Sequence, residues 1–466
     1  MVEAGAEVYA SLHQRFKGDL LRPGENGYED ARAIWNGMVS RSPQVIARCA
    51  SVGDVQNAVR AASEAGILTA IRCGGHSLAG FSTCDGLVID LSRMYEVTVD
   101  SARSRARIAG GCLLGSIDSA TQKAGLVFPS GVVSHTGASG LILGGGTGWL
   151  TRRFGLSCDN VEGFALVTAD GSLAHCNEKE NADLFWALRG GGGNFGVVTE
   201  FEVRLHALSS VVFAEGLCPE ADIRRLLECW RDFMAEAPFD LKWNIDLRLA
   251  RGTKRVPVKL RGRAVASSSL VWTGAPELGR PYLEHALALC HRDSVRSKVM
   301  PFLDLQTMAD FDFPHGRRYY TKSGYFESLD SSTINLLLEA VDKIPSPETQ
   351  IELAYLGGAA AQVAATETAF GDRGAPFIVN LLANWPDASE DEGHVSWIRR
   401  LFNQLRPAMK PGVYVNFMSG DEQDRVPEAY HERWDRIVAV KSRYDPSNFF
   451  RLNQNIPPLN PPGRVS

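Results

Sequence analysis

A histidine stands between a glycine pair and a serine in "RCGGHSLAG", residues 72–80, which sets a nucleophilic imidazole in a turn almost without side chains of its own. Two more glycine-dense stretches follow, "GASGLILGGGTG" (137–148) and "RGGGGNFG" (189–196). Turns that lack side chains let backbone N–H groups approach a ligand and converge on phosphate oxygens. Three such turns in one half of the chain therefore point to a bound pyrophosphate. The last of them contains GxGxxG from Gly191 to Gly196, but helix-like "NADLFWALR" precedes it and strand-like "VVTEFEVRL" follows. A dinucleotide fingerprint needs the opposite order, strand then helix, so a nicotinamide site of that type is excluded. No GxxxxGK[ST] occurs, which removes the P-loop.

Metal and disulfide chemistry find little support in the spacing. The ten histidines include no HxxxH pair, and the nine cysteines form no CxxC pair and sit mostly in apolar segments. Buried free thiols and no metal centre are expected.

The elements that must position the turns are mixed. "DVQNAVRAASEAG" (54–66) and "LLGSIDSATQKAG" (113–125) carry helical spacing, "YEVTVDSARSRARIAGG" (95–111) alternates about a turn, and "VEGFALVTADGSLAHC" (161–176) reads as a hairpin on Asp170-Gly171. From about Val211 strand-like segments ("LKWNIDLRL", "RYYTKSGYF", "TQIELAYLGG", "PFIVNLLANW", "GVYVNFM") alternate with amphipathic helices such as "IRRLLECWRDFMAEA". This predicts an α+β fold with a sheet covered by helices on one face. The Pro- and Asn-rich end, "YDPSNFFRLNQNIPPLNPPG", predicts an ordered tail packed back on the body.

At 466 residues the chain is long enough for two domains. A 44% hydrophobic and 22% charged composition with net charge -5 is that of a globular enzyme with no footprint for nucleic acid and no polybasic membrane patch. A small molecule becomes the default partner. The amino terminus lacks the apolar stretch of a signal peptide, so a cytoplasmic location is expected.

Taken together, "IRCGGHSLAG", "GASGLILGGGTGWLTRRFGLSCDNV", "LFWALRGGGGNFGVVTEFEVRL" and "YDPSNFFRLNQNIPP" resemble, in order and over most of the chain, the FAD-linked oxidoreductases of the vanillyl-alcohol oxidase type, in the branch of the berberine bridge enzyme. The resemblance implies an amino-terminal extension (1–39), a PCMH-type FAD-binding domain of two subdomains (40–208), a substrate domain with an antiparallel sheet (209–420) and a closing segment that returns to the first domain (421–466). FAD would contact Arg72, Cys73, Gly74, Gly75, His76 and Ser77 in the first loop. In the second loop it would contact Val133, Thr136, Gly137, Ser139, Gly140, Gly144, Gly145, Gly148 and Asp159. Gly196, Val198, Asn453 and Asn455 complete that set.

His76 takes the place of the flavin-linking histidine. Many relatives carry a second, cysteinyl link; the matching position here is Val133, so a single covalent attachment is implied. Thr136 stands where relatives that react fast with oxygen carry valine, which favours an oxidase that gives H2O2 over a dehydrogenase. A flavin of this kind takes hydride from a carbon bearing a hydroxyl or amine while a protein base handles the proton. The two-residue strand period pairs Tyr414 with Asn416 and Tyr320 with Lys322. Tyr414 is the first candidate for the base, with Tyr320, Lys322, Asn416 and Glu352 shaping the pocket and Trp35 either lining its far side or filling core. The alternatives are a noncovalent FAD reductase of the same superfamily and a binding protein that has lost catalysis.

Overall fold

A computed structural model describes residues 2–460. Strand Asp19–Leu21 pairs antiparallel with Val45–Arg48, which runs parallel to Leu87–Asp90, itself parallel to Thr69–Arg72. Helix Val2–His13 adds Val8 and Leu12 to the core of this four-stranded sheet. The first 39 residues, expected as an extension, thus supply an edge strand and a packed helix. Helix Val52–Glu64 starts where the Ser51 hydroxyl accepts the Asp54 N–H at 3.2 Å and ends before Gly66, whose φ is 61°. Its Val55, Ala58, Val59 and Ala62, one helical stripe, are buried against the sheet.

A second sheet follows, five antiparallel strands in the order Val97–Asp100, Arg105–Ala109, Val197–Arg204, Val161–Val167, Leu173–Asn177. Its last hairpin turns through Gly171, at φ 76°, as the Asp-Gly signal requires. Helix Ala182–Leu188 does precede strand Val197–Arg204, the reversed order that spoke against a dinucleotide fingerprint.

The third sheet has seven antiparallel strands, ordered Arg296–Pro301, Ser210–Pro219, Ala264–Trp272, Leu241–Leu249, Gln350–Tyr355, Phe377–Trp385, Arg318–Phe326. Helices Ile223–Glu236, Pro276–Leu287, Ser331–Val341 and Asp391–Leu405 cover one face. Along Leu241–Leu249 the pleat sends Leu241, Trp243, Ile245 and Leu247 into that core, and Lys242, Asn244, Asp246 and Arg248 to the opposite face. Among the five segments expected as strands, "GVYVNFM" is corrected: after Gly412, at φ 123°, the chain makes a short 3-10 turn over Val415–Phe417.

The tail returns as expected. Buried Lys441 donates to Asp445 at 2.6 Å, to Asn194 O at 2.8 Å and to Phe450 O at 3.1 Å, while Asn194 accepts the Ile456 N–H at 2.9 Å. One fully buried ion pair thereby clamps residues 445–456 onto the third glycine turn. No helix among the described residues is long and apolar enough to cross a membrane.

Candidate active site

A cavity of ≈ 570 Å³ lies between the uncovered face of the seven-stranded sheet and the three glycine turns. The turns form its floor. A Cβ on Gly74 would stand 2.4 Å from Gly137 N, and one on Gly137 would stand 2.3 Å from Gly74 N, so the first two loops touch backbone to backbone. That approach sets His76 beside Thr136: the Thr136 hydroxyl lies 3.5 Å from His76 Nδ1. Gly75 follows at φ 70°, the left-handed turn that brings the imidazole round.

His76 is enclosed by aromatic rings. Trp35 stacks on it with centroids 4.5 Å apart and stacks in turn on Tyr319 at 3.6 Å. Trp35 therefore lines the cavity and is itself buried. His76 Nε2 shares a 2.7 Å hydrogen bond with His135 Nδ1, and His315 meets both rings from a strap over residues 302–317. Burial, reinforced by the two neighbouring imidazoles, holds His76 down to about 2, so it is a neutral nucleophile at physiological pH. The sequence spacing gave no hint of this cluster, because its members come from three segments far apart in the chain. The sequence spacing offers no metal-type motif, yet the fold brings the donor atoms of His76, His135 and His315 within 4.8 Å of one another.

The roof is a polar row across neighbouring strands. Ser267 pairs with Asp246, Asp246 with Glu352, and Glu352 with Asn380, all lining the cavity. Asn380 Nδ2 donates to Glu352 Oε2 at 3.3 Å, and the Thr321 hydroxyl fixes the amide by donating to Asn380 Oδ1 at 2.5 Å. Enclosure raises the Glu352 carboxyl, and enclosure together with the facing Glu352 raises Asp246 to about 7. The two carboxyls are register partners across the strand pair, and enclosure favours the protonated form of each. Lys242, two residues along the same face from Asn244, is lowered to about 8 by burial and by Arg152. Of this row only Glu352 was anticipated; the alternation of "LKWNIDLRL" carries the signal for Lys242, Asn244, Asp246 and Arg248, once the buried face is known.

The expected cofactor residues divide. Cys73, Gly74, Gly75, His76, Ser77, Val133, Thr136, Gly137, Ser139, Gly140, Gly148, Gly196, Val198 and Asn453 line the cavity. Arg72 instead donates to Ala31 O and to Ala33 O, tying the segment that carries Trp35 to the first loop. Gly144 and Gly145 back onto Asn416 and Phe370. Asp159 forms a buried ion pair with Arg373 at 2.5 Å and is corrected from a flavin contact to a structural one. Asn455 lies outside the lining, its N–H 3.5 Å from Gln423 Oε1. Cys73 does reach the cavity, but burial raises its thiol to about 11 and it donates to Cys112 O.

Among the expected catalytic residues, Tyr414, Asn416 and Glu352 line the cavity. The Tyr414 oxygen accepts from Gly146 N–H and from Asn416 Nδ2, each at 2.9 Å, and burial raises the phenol to about 12. Tyr320 and Lys322 are corrected. They occupy the helix-covered face, where the Tyr320 hydroxyl donates to Asp421 at 2.7 Å and Lys322 pairs with the same carboxylate at 3.0 Å. The strand period paired them rightly and left open which face they take; Tyr319 and Thr321 hold the inner one.

The walls suit a large ligand with polar ends. Ser82 Oγ, Trp149 Nε1 and Asn453 Oδ1 at the floor, and Asn244 Oδ1 and Arg248 Nε at the roof, are buried without hydrogen-bond partners. A Cβ on Gly140 or Gly193 would meet open space. FAD fits these demands: a pyrophosphate for the turns and a ring system between floor and roof.

Comparison with known proteins agrees. Residues 43–177 match the FAD binding domain family, and residues 413–457 match the family described as berberine and berberine like. An FAD-linked oxidoreductase of Dictyostelium discoideum is 30% identical over 97% of this chain and 97% of its own. The (R)-6-hydroxynicotine oxidase of Paenarthrobacter nicotinovorans is 31% identical over 95% of this chain and 97% of its own. Among solved structures, 6-hydroxy-D-nicotine oxidase from Arthrobacter nicotinovorans superposes with a TM-score of 0.85 at 29% identity, over 95% of this chain and 98% of that one. With near-complete mutual coverage and a cavity built for the cofactor, the chain belongs to the FAD-linked oxidoreductases of the berberine bridge enzyme and 6-hydroxynicotine oxidase type.

Proposed function

We propose that this protein is a flavin-dependent oxidase that takes hydride from a small-molecule amine or alcohol carbon, with FAD attached through His76 alone and O2 as acceptor. FAD, when bound, supplies the hydride acceptor and passes the electrons on to O2 as H2O2. The residues of the chain do the rest. The glycine turns hold the pyrophosphate on backbone N–H groups. His76 offers Nδ1 on the side of Thr136, while its Nε2 is engaged by His135. Val133 sits in the lining where a second linker would need a thiol.

The observation that carries the catalytic reading is the facing pair Asp246 and Glu352 on the roof of the same cavity. Glu352, oriented by Asn380, accepts the proton of the substrate N–H or O–H, and Asp246 shares that proton across the strand pair. Enclosure raises the proton affinity of Glu352 above that of an ordinary carboxylate, which suits it to this task. Tyr414 is a neutral phenol whose oxygen already accepts two hydrogen bonds, so it holds the second glycine loop in place. The enclosed site keeps water from the reacting carbon.

A panel of secondary amines and activated alcohols, read by anaerobic flavin bleaching and by peroxide release in air, tests the reading. Bleaching followed by one peroxide per substrate is expected. Bleaching without reoxidation in air would make the protein a dehydrogenase, and a flavin reduced only by nicotinamide would make it a reductase.

A further inference from the structure

The geometry points to a binding site for a borderline divalent transition metal, of the Zn2+ or Cu2+ class, formed by His76, His135 and His315. Three imidazole donors from three separate segments converge within 4.8 Å of one another, the closest pair 2.7 Å apart. Around a shared tetrahedral ion, nitrogens at about 2.0–2.1 Å from the metal stand about 3.3 Å from each other. The half-buried pair needs to open only slightly. His315 is exposed at the surface of its strap and closes the third side by a side-chain movement. Imidazole suits zinc and copper, and three protein ligands leave a fourth position for water.

The flavin does not compete for this site. Attachment at Nδ1, on which the spectral consequence below rests, leaves Nε2 as the unprotonated nitrogen of an alkylated imidazole. That is the atom facing His135. A coordinated cation would draw electron density through the ring away from the flavin, so the metal would tune the cofactor through its point of attachment. Nothing in the roof takes part; Asp310, whose charge faces His135, accepts hydrogen bonds from the N–H and hydroxyl of Ser134, next to His135, and holds that loop.

The test uses the holoenzyme stripped with a chelator. Equilibrium dialysis against Zn2+ should give one tight equivalent per chain, weakened roughly 100-fold or more in His315→Ala and in His135→Ala. His315→Ala removes an exposed side chain and leaves the fold intact, so it remains decisive where His135→Ala unfolds. With Cu2+ as probe, electron paramagnetic resonance should show splitting from three nitrogens, and the flavin absorption band should shift on titration. Absence of a tight equivalent, or equal affinity in wild type and His315→Ala, overturns the site. A bound ion that leaves the flavin band unmoved overturns the assignment of His76 as a ligand. Whether the flavin is linked to His76 is read separately, without metal, by acid precipitation.

Discussion

The floor and the roof of the cavity are built by opposite means. The floor uses backbone: three turns whose glycines let two loops meet at main-chain contact and leave N–H groups for an anion, with a single imidazole added. The roof uses side chains, one from each of several strands, aligned into a row by register. A backbone site is written in consecutive residues and tolerates few replacements. A register-built site is spread across strands that are far apart in the chain and is free to vary, which suits a floor common to many substrates beneath a roof that selects among them.

The sharpest way to break that contrast is to remove a residue that was expected on the floor but lies behind it. Asp159→Asn leaves the buried Arg373 guanidinium unpaired and should destabilise the fold by about 3–5 kcal/mol, while FAD bound to the surviving native protein keeps its spectrum. Denaturant melts read together with the flavin band check this; loss of flavin without loss of stability would return Asp159 to the cofactor.

On the roof, Glu352→Gln should slow anaerobic flavin reduction roughly 100-fold or more with FAD still attached. Tyr414→Phe serves as its control. It removes a buried hydrogen-bond acceptor of the glycine loop and should cost stability, about 1–3 kcal/mol, more than rate. A reversed ranking in stopped-flow would move the base from the sheet to the turn.

A smaller effect is carried by the Asp246 carboxyl. The folded state raises Asp246 to about 7, above its ordinary value of 3.8, so the native protein binds more protons than the unfolded chain between those limits. Stability then falls as pH rises through that window. Asp246→Asn should therefore stabilise the fold at pH 8, on the order of 1 kcal/mol, and not below pH 3.8. Flavin reduction in the wild type should rise with pH through the region near 7. Thermal melts at both pH values and a pH–rate profile check the two signs.

The smallest effect is expected from Tyr320→Phe. Its hydroxyl binds Asp421 and Arg399 on the helix-covered face, so reduction should stay within about twofold of wild type. A larger loss would place this strand the other way up.

That last variant shows where sequence reading stops. The glycine turns, the hairpin on Asp170-Gly171, the helix Val52–Glu64 and the returning tail are local signals, and each stands where it was expected. Alternation in "RYYTKSGYF" and "LKWNIDLRL" gave correct strand boundaries, yet a period of two cannot say which face meets helices. The same period is met with Tyr320 and Lys322 on the helix-covered face and Lys242, Asn244 and Asp246 on the cavity face. "GVYVNFM" alternates like a strand, but the chain enters it through Gly412 in a conformation that turns it instead. The histidine cluster lies beyond reach for a third reason: its members come from three segments far apart in the chain, and only the folded backbone brings them together.

The central claim is that one residue, His76, joins the cofactor to the chain. Intact-protein mass spectrometry under denaturing conditions measures it most directly. The account predicts the mass of the polypeptide plus one FAD for the wild type, and the bare polypeptide with FAD in the acid supernatant for His76→Ala. An FAD adduct that survives in His76→Ala, or a peptide map that finds the flavin on Cys73, would contradict it.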